Sequence, residues 1–504
     1  MFKKILIANR GEIAVRIIRA CRELGVATAA VYSEADRAAL HVLAADEAVL
    51  IGPPPAAASY LDMDRIVGAV RATGAEAVHP GYGFLAENAE FARRLDREGI
   101  VFIGPNADAL ELVGDKLRAR AAMDKAGIPI IPGMKGPAAD AATAGTAARK
   151  IGFPVMIKAS AGGGGKGMRI ASREEDLGPA LEAGRREAKA AFGDDSVYLE
   201  KFIEDPHHVE FQVLADGRGK IVHLFERECS IQRRHQKIVE ETPSPFLDPG
   251  LRKEMGETAR EVLRISGYDN AGTVEFLLDK ERKFYFLEVN ARLQVEHPVT
   301  ELTTGIDLVQ QQIRIAGGER LGLAQAALAQ RGHAIECRIY AEDPANGFLP
   351  SSGKILAYTA PSGPGVRVDS GVYAGWDVPL YYDPILAKLI VWAESRELAG
   401  RRMLRALREF VILGVSTSVG FLEDVISHPK FREGETTTGF IKRHFEGWEE
   451  KKPGPEALAL AMAAAALAGH DRPRRGSTAG GQGEPGAAFS PWLGLGKWRL
   501  GDRS

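Results

Sequence analysis

The chain has 504 residues and a formal net charge of −2, with 65 Lys and Arg against 67 Asp and Glu, which gives no electrostatic reason to expect a nucleic acid or a membrane surface as partner. Hydrophobic residues at 45% and charged residues at 26% are the proportions of a globular protein with a sizeable core, and the length suggests about three domains. Cys21, Cys229 and Cys337 lie too far apart for a disulfide framework or a Cys-rich zinc site, so a reducing, cytoplasmic setting is expected; no targeting segment is evident, and the longest apolar stretch, 457–468, falls short of the ~20 residues that span a bilayer.

Residues 4–9 read as a buried strand. After Arg10-Gly11-Glu12 comes a helix in which Ile13, Ile17 and Cys21 keep an i, i+4 apolar spacing. A second strand at 27–32 completes a strand–helix–strand unit, which predicts a parallel sheet with right-handed crossovers. Strands at 48–51, 77–79 and 101–104 extend it, and the first domain is placed at 1–114. The opening turn has one glycine, Gly11, rather than a G-x-G-x-x-G fingerprint, so a Rossmann-like scaffold without NAD is favoured.

A strand ending at Lys158 runs into Gly162-Gly163-Gly164-Gly165-Lys166-Gly167, and a returning strand is expected at 168–171. Consecutive glycines let backbone N–H groups approach phosphate oxygens, and the lysines add charge on either side. This is not a Walker loop, since no G-K-[ST] is present and a strand follows instead of a helix. The segment 229–241, CSIQRRHQKIVEE, is basic and turn-like and suits an anionic substrate, although a bare charge run is more often a solvated surface.

Residues 273–287 read as two strands around Lys280-Glu281-Arg282-Lys283. With the turn centred on Glu281-Arg282, Glu275 pairs directly across from Glu288. Opposed carboxylates repel, and a hard divalent cation is a natural remedy, with Asn290 as a further oxygen donor. If 288–296 is extended, Glu288, Asn290, Arg292, Gln294 and Glu296 share one polar face, while Val289, Ala291, Leu293 and Val295 share the other. From 332 to 445, short strands, turns and a helix at 397–410 suggest an α+β domain. Beyond Trp448 the composition changes: a short Ala-rich helix is expected at 457–468, a disordered Gly/Pro/Ser/Arg-rich stretch at 471–488, and a small apolar motif, SPW…WRL, after it.

These motifs together resemble the biotin carboxylase component of biotin-dependent carboxylases, within the ATP-grasp superfamily. The resemblance rests on IANRGEIAVRIIRA at 7–20, HPGYGFLAEN at 79–88, GGGGKGMR at 162–169, CSIQRRHQK at 229–237, EVNARLQVEHPVTE at 288–301 and ECRIYAEDP at 336–344, and covers about residues 1–445. It implies an α/β protein with a Rossmann-like N-terminal (pre-ATP-grasp) domain at 1–114 and an ATP-grasp domain at 115–331, whose glycine-rich lid spans about 131–203. An α+β C-terminal biotin carboxylase domain at 332–446 and a tail at 447–504 follow.

By the same resemblance, Lys116 and Lys158 contact ATP phosphates under a lid that includes Gly163, Gly164, Gly165 and Gly167. Glu200 and Lys201 sit at the adenine, and His208, Gln232 and His235 line the nucleotide pocket. Glu275 and Glu288, assisted by Asn290, hold Mg²⁺ or Mn²⁺. Lys237, Arg292, Gln294 and the Val295 backbone bind bicarbonate, Glu296 is the general base, and Arg338 faces the biotin ureido group. The implied reaction makes carboxyphosphate from ATP and bicarbonate, then carboxybiotin. Lys166 stands where many relatives have Arg, and Ala291 replaces a frequent Thr; neither removes a polar ligand.

Multidomain relatives carry a biotinyl lysine in an A-M-K-M-like hairpin, whereas the nearest Met-Lys here, Met134-Lys135, lies between Pro132 and Pro137. Biotin is therefore expected on a separate biotin carboxyl carrier protein, with a carboxyltransferase as further partner. SPW…WRL resembles the segment that follows the carboxylase part in α subunits of acyl-CoA carboxylases, and a homodimer is implied by resemblance alone. A carbamoyl-phosphate synthetase-like ligase and a non-catalytic nucleotide-binding scaffold are the competing readings. RLQVEHPVTE with ECRIYAEDP argues against the first, and the intact polar set Lys237, Glu275, Glu288, Arg292, Glu296 and Arg338 against the second.

Overall fold

Apolar residues run without a break through β1 (Lys4–Ile7), where Ile5, Leu6 and Ile7 are all fully buried, as expected of a parallel strand covered on both faces. In this computed structural model, which describes residues 1–160, 168–451 and a few between 454 and 463, β1 is the middle of a five-stranded sheet. The other strands are β2 (Ala27–Ser33), β3 (Glu47–Gly52), β4 (Ala77–His79) and β5 (Val101–Phe102), in the order β3-β2-β1-β4-β5, all parallel. The helix Gly11–Glu23 packs Ile13, Ile17 and Cys21 inward, and Gly11 opens it at φ +66, a conformation that favours glycine.

A small antiparallel sheet follows, β6 (Val155–Ala159), β7 (Arg169–Ala171) and β8 (Val197–Lys201), in the order β7-β6-β8. The glycine run and Lys166 fall outside the described residues.

The largest sheet has eight strands. It comprises β9 (His207–Ala215), β10 (Ile221–Arg233), β11 (Gln236–Thr242), β12 (Asn270–Leu278), β13 (Phe284–Asn290), β14 (His333–Tyr340), β15 (Val366–Ser370) and β16 (Ile385–Ala393). Their order is β13-β12-β9-β10-β11-β14-β16-β15, antiparallel throughout. The β11–β14 pairing carries the sheet across the boundary expected near residue 331. The helix Arg396–Glu409, expected at 397–410, is capped by Ser395 and buries Ala399, Met403, Ala406 and Leu407.

Two expectations need correcting. Cys229–Glu241 is not simply turn-like: it is the end of one strand and the start of the next, joined by Arg234 and His235 at φ 49 and 66, the left-handed pair of a tight hairpin. In the next hairpin Thr273, Val274 and Glu275 pair with Asn290, Val289 and Glu288 as expected, but a bulge then shifts the register, so Phe276 faces Phe286 and Leu278 faces Phe284. The turn consequently tightens around Glu281, closed by the Asp279 N–H donating to the Lys283 carbonyl at 3.0 Å.

Residues 1–450 form one compact unit and 451–504 a second, of which few residues are described. Most of the 457–468 helix, the 471–488 stretch and SPW…WRL lie outside the described residues. Among the described residues no helix is long and apolar enough to cross a membrane, and all three cysteines are buried and free.

Candidate active site

Strand alternation builds the floor of the site. On β9, His208, Glu210 and Gln212 alternate with the buried Val209, Phe211 and Val213. The register places Glu210, Glu275 and Glu288 side by side across β9, β12 and β13, with Gln212, Thr273 and Asn290 in the adjacent row. Three carboxylates in one row are tolerable only with cations among them.

The fully buried Arg227, from β10, donates Nε to Glu210 at 2.5 Å, Nη1 to Gln212 at 2.7 Å and Nη2 to Thr273 at 3.0 Å. The Lys237 ammonium, from β11, donates to Glu275 at 2.7 Å and Glu296 at 2.8 Å, and also to Glu210. Burial alone would depress the Lys237 pKa, but these carboxylates hold it well above the usual lysine value. His208 Nε2 lies 2.9 Å from Glu275, while Nδ1 meets the Gln232 side-chain amide at 2.8 Å. Burial would raise Glu275, yet Lys237 and His208 hold it well below the carboxylate range.

The segment expected to stay extended to Glu296 does not: β13 ends at Asn290, a loop follows, and the helix His297–Thr304 begins with Glu296 at its N-cap. Regular alternation therefore stops at 290. Glu296 does not cap the helix; its carboxylate turns to Lys237 at 2.8 Å and Arg338 at 2.9 Å. Burial opposes its ionisation, but Lys237, Arg338 and Arg227 win and hold it far below the ordinary value. Arg338 also donates Nε to Glu240 at 2.6 Å; burial pushes Glu240 up to about 7, with Arg338 opposing and Glu296 adding to the rise.

Arg292 does not touch Glu296. It donates to Glu87 at 2.9 Å, Gln294 at 2.8 Å and Asn290 at 2.8 Å, and Gln294 in turn donates to Glu275 at 3.2 Å. The Val295 carbonyl accepts from Lys388 at 2.9 Å.

On the expected nucleotide side, Lys116 lies 3.6 Å from Glu288, and Lys158 lies 2.5 Å from Glu200, which also accepts from Arg120 at 2.7 Å. Lys201 is turned the other way: its ammonium donates to the carbonyls of Gly152 at 3.0 Å and Phe153 at 2.9 Å, so its side chain does not join Glu200. His235, at the exposed hairpin tip, has its imidazole pKa lowered by partial desolvation and then by the charges of Lys158 and His208.

Glu275 opposite Glu288, with Asn290 beside them, is an all-oxygen donor set of the kind Mg²⁺ takes. The sequence reading missed Glu210, Arg227, Glu87, Glu240, Arg120 and Lys388. The alternation HVEFQVL carried a signal for Glu210, and Glu87 lies within HPGYGFLAEN; nothing local in the sequence marks the others.

Residues 115–324 match the ATP-binding domain family of the carbamoyl-phosphate synthase L chain, and with the site's cations and carboxylates this defines an ATP-dependent ligase of the ATP-grasp class. Residues 1–110 match the biotin carboxylase N-terminal domain family and 336–443 the biotin carboxylase C-terminal domain family. The chain belongs to the biotin carboxylase family. It is 53% identical to a biotin carboxylase of Nostoc sp. over 441 residues, covering 88% of this chain and 99% of that one. It is 50% identical to the propionyl-CoA carboxylase alpha chain of Ruegeria pomeroyi over 490 residues, covering 93% and 72%. The biotin carboxylase domain of the Hydrogenobacter thermophilus 2-oxoglutarate carboxylase, solved as a dimer with MgADP, ADP and bicarbonate, superposes with a TM-score of 0.87 at 49% identity, covering 90% and 100%.

Proposed function

We propose that the chain catalyses the first half-reaction of an acyl-CoA carboxylase: ATP, bicarbonate and biotin on a separate carrier give ADP, phosphate and carboxybiotin. The observation that carries this reading is the Glu296 carboxylate held between Lys237 and Arg338, beside the row Glu210, Glu275 and Glu288.

In this reading Lys116 and Lys158 bind the ATP phosphates, and Glu200, Lys201, His208, Gln232 and His235 surround the rest of the nucleotide. Lys201 would serve through its main chain. Glu275 and Glu288, with Asn290, would hold Mg²⁺, which when bound offsets phosphate charge. Bicarbonate takes the place of carboxylate oxygens at Lys237 and Arg292, next to Gln294 and the Val295 backbone. Glu296 removes its proton as it attacks the γ-phosphate, giving carboxyphosphate. This labile product must be kept from water; the glycine run expected to cover it lies outside the described residues. Carboxyphosphate releases CO₂ and phosphate, phosphate deprotonates biotin, and Arg338 stabilises the negative ureido oxygen while biotin attacks CO₂.

A carrier on another chain is supported by the Nostoc relative, which this chain spans almost completely and which is named simply biotin carboxylase. An acyl-CoA final acceptor is supported by the alignment with the propionyl-CoA carboxylase alpha chain. A cytoplasmic homodimer working with a carboxyltransferase completes the reading. ADP release by the purified chain tests it: release should require bicarbonate and rise further with free biotin, and release indifferent to both overturns it.

A further inference from the structure

Lys388 is fully buried, in the middle of β16, where it pairs directly with Arg338 of β14 on one side and Asp369 of β15 on the other. A buried ammonium is costly unless paired and hydrogen-bonded. Its contacts come from three separate parts of the chain. Nζ donates to the Val295 carbonyl at 2.9 Å, lies 3.2 Å from Glu12 and reaches 4.0 Å toward Asp369.

Glu12 is itself gripped by the Tyr82 hydroxyl and sits in the first turn of the helix Gly11–Glu23. That turn is pressed against the end of β15: a Cβ on Gly371, the residue after that strand, would lie 2.6 Å from the Glu12 nitrogen. Lys388, on β16, thus ties the helix Gly11–Glu23 and β15 to the loop carrying Val295 and Glu296. That loop has left regular sheet pairing after Asn290 and has no ladder of its own to fix it.

We infer that Lys388 is a positioning residue for the carboxylation chemistry: by holding the Val295 carbonyl it fixes the peptide leading into Glu296, and so the angle at which that carboxylate meets bicarbonate. This rests on the function proposed above. The Val295–Glu296 peptide has its oxygen anchored by Lys388, and rotation of that peptide would swing the Glu296 Cα and its carboxylate out of line with Lys237 and Arg338. Reacting groups displaced by about 1 Å lose on the order of 10²-fold in rate.

Two variants of the full chain separate positioning from simple charge compensation. Lys388→Met removes the donor and leaves Glu12 buried without its cation, so both the thermal midpoint and kcat should fall. Glu12→Gln/Lys388→Met removes the stranded charge as well, so the thermal midpoint should recover. The kcat for bicarbonate-dependent ADP release should stay about 10²-fold below wild type, with KM for ATP within about twofold, because among the described residues it is Lys388 whose side chain holds the Val295 carbonyl. If Lys388→Met does not fold, the double variant carries the test alone. Recovery of kcat together with the midpoint, or a wild-type kcat in either variant, overturns the inference. The two readings fail differently: ADP release indifferent to bicarbonate in the unmodified chain overturns the function, whereas only the variants bear on Lys388.

Discussion

Glu296 is ionised in the free site because Lys237 and Arg338 hold its oxygens, and a carboxylate so well paired is a weak base. In the proposed reaction bicarbonate would resolve this: bound at Lys237 and Arg292, it would draw hydrogen bonds away from Glu296, which would become more basic as its substrate arrives. Glu296→Ala should therefore suppress bicarbonate-dependent ATP cleavage by ~10²–10⁴-fold. Nucleotide binding, proposed to run through Lys116, Lys158, Glu275 and Glu288, should survive when followed by calorimetry; normal bicarbonate-dependent cleavage by this variant contradicts the role. Arg338→Ala should depress carboxybiotin formation far more than ADP release. It should also leave a second mark. Losing one cation raises the Glu296 pKa, and the active form is the carboxylate, so the acid limb of the ADP-release profile should move to higher pH. An unshifted limb, or ADP release lost with ATP still bound, would show that Arg338 does something else.

At the scale of elements, the end of β11 is tied to its surroundings by Glu241, which accepts from Arg396 at 2.7 Å and meets His333 Nε2 of β14 at 2.7 Å. Burial alone would raise this carboxyl, but Arg396 and His333 hold it down at about 2. A depressed carboxylate contributes stability that is complete above its unfolded pKa and is lost as pH falls through the folded one. On the order of 3 kcal/mol should thus be present above about pH 5 and gone near pH 2. Urea midpoints should show wild type more stable than Glu241→Gln at neutral pH, with the gap closing across that window; a gap that stays constant rules the linkage out.

The elements also show what the sequence could and could not tell. Centring the turn on Glu281-Arg282 placed Glu275 opposite Glu288 correctly because the bulge between the tighter real turn and that pair restores the offset, and period-2 patterning would have found Glu210 had β9 been read that way. It overran at Asn290, since alternation of residue types continues into a loop whose backbone does not. Arg227, Glu240 and Lys388 were illegible for a different reason: their partners lie far away in sequence, and only the eight-stranded sheet brings them together.

For the whole molecule, that sheet is the organising feature. It carries the proposed metal carboxylates near one edge and Arg338 with Lys388 toward the other, with Lys237 between. Everything the proposed chemistry uses lies within residues 1–450, so removing 471–504, which lies outside all three family matches, should leave carboxylation of free biotin nearly intact. Loss of that activity in the truncated chain would place a necessary element in the tail. A streptavidin blot of the purified chain should show no stoichiometric biotin; a strong band would contradict a separate carrier.

In the proposed reaction bicarbonate, and not water, attacks the γ-phosphate, and isotope transfer reads this directly. With ¹⁸O-labelled bicarbonate, ATP, Mg²⁺ and free biotin, each phosphate released should carry one labelled oxygen, the one that bridged carbon and phosphorus in carboxyphosphate. Phosphate released without label, at the same rate as ADP, would mean that water is the nucleophile and that the assignment of this site is wrong.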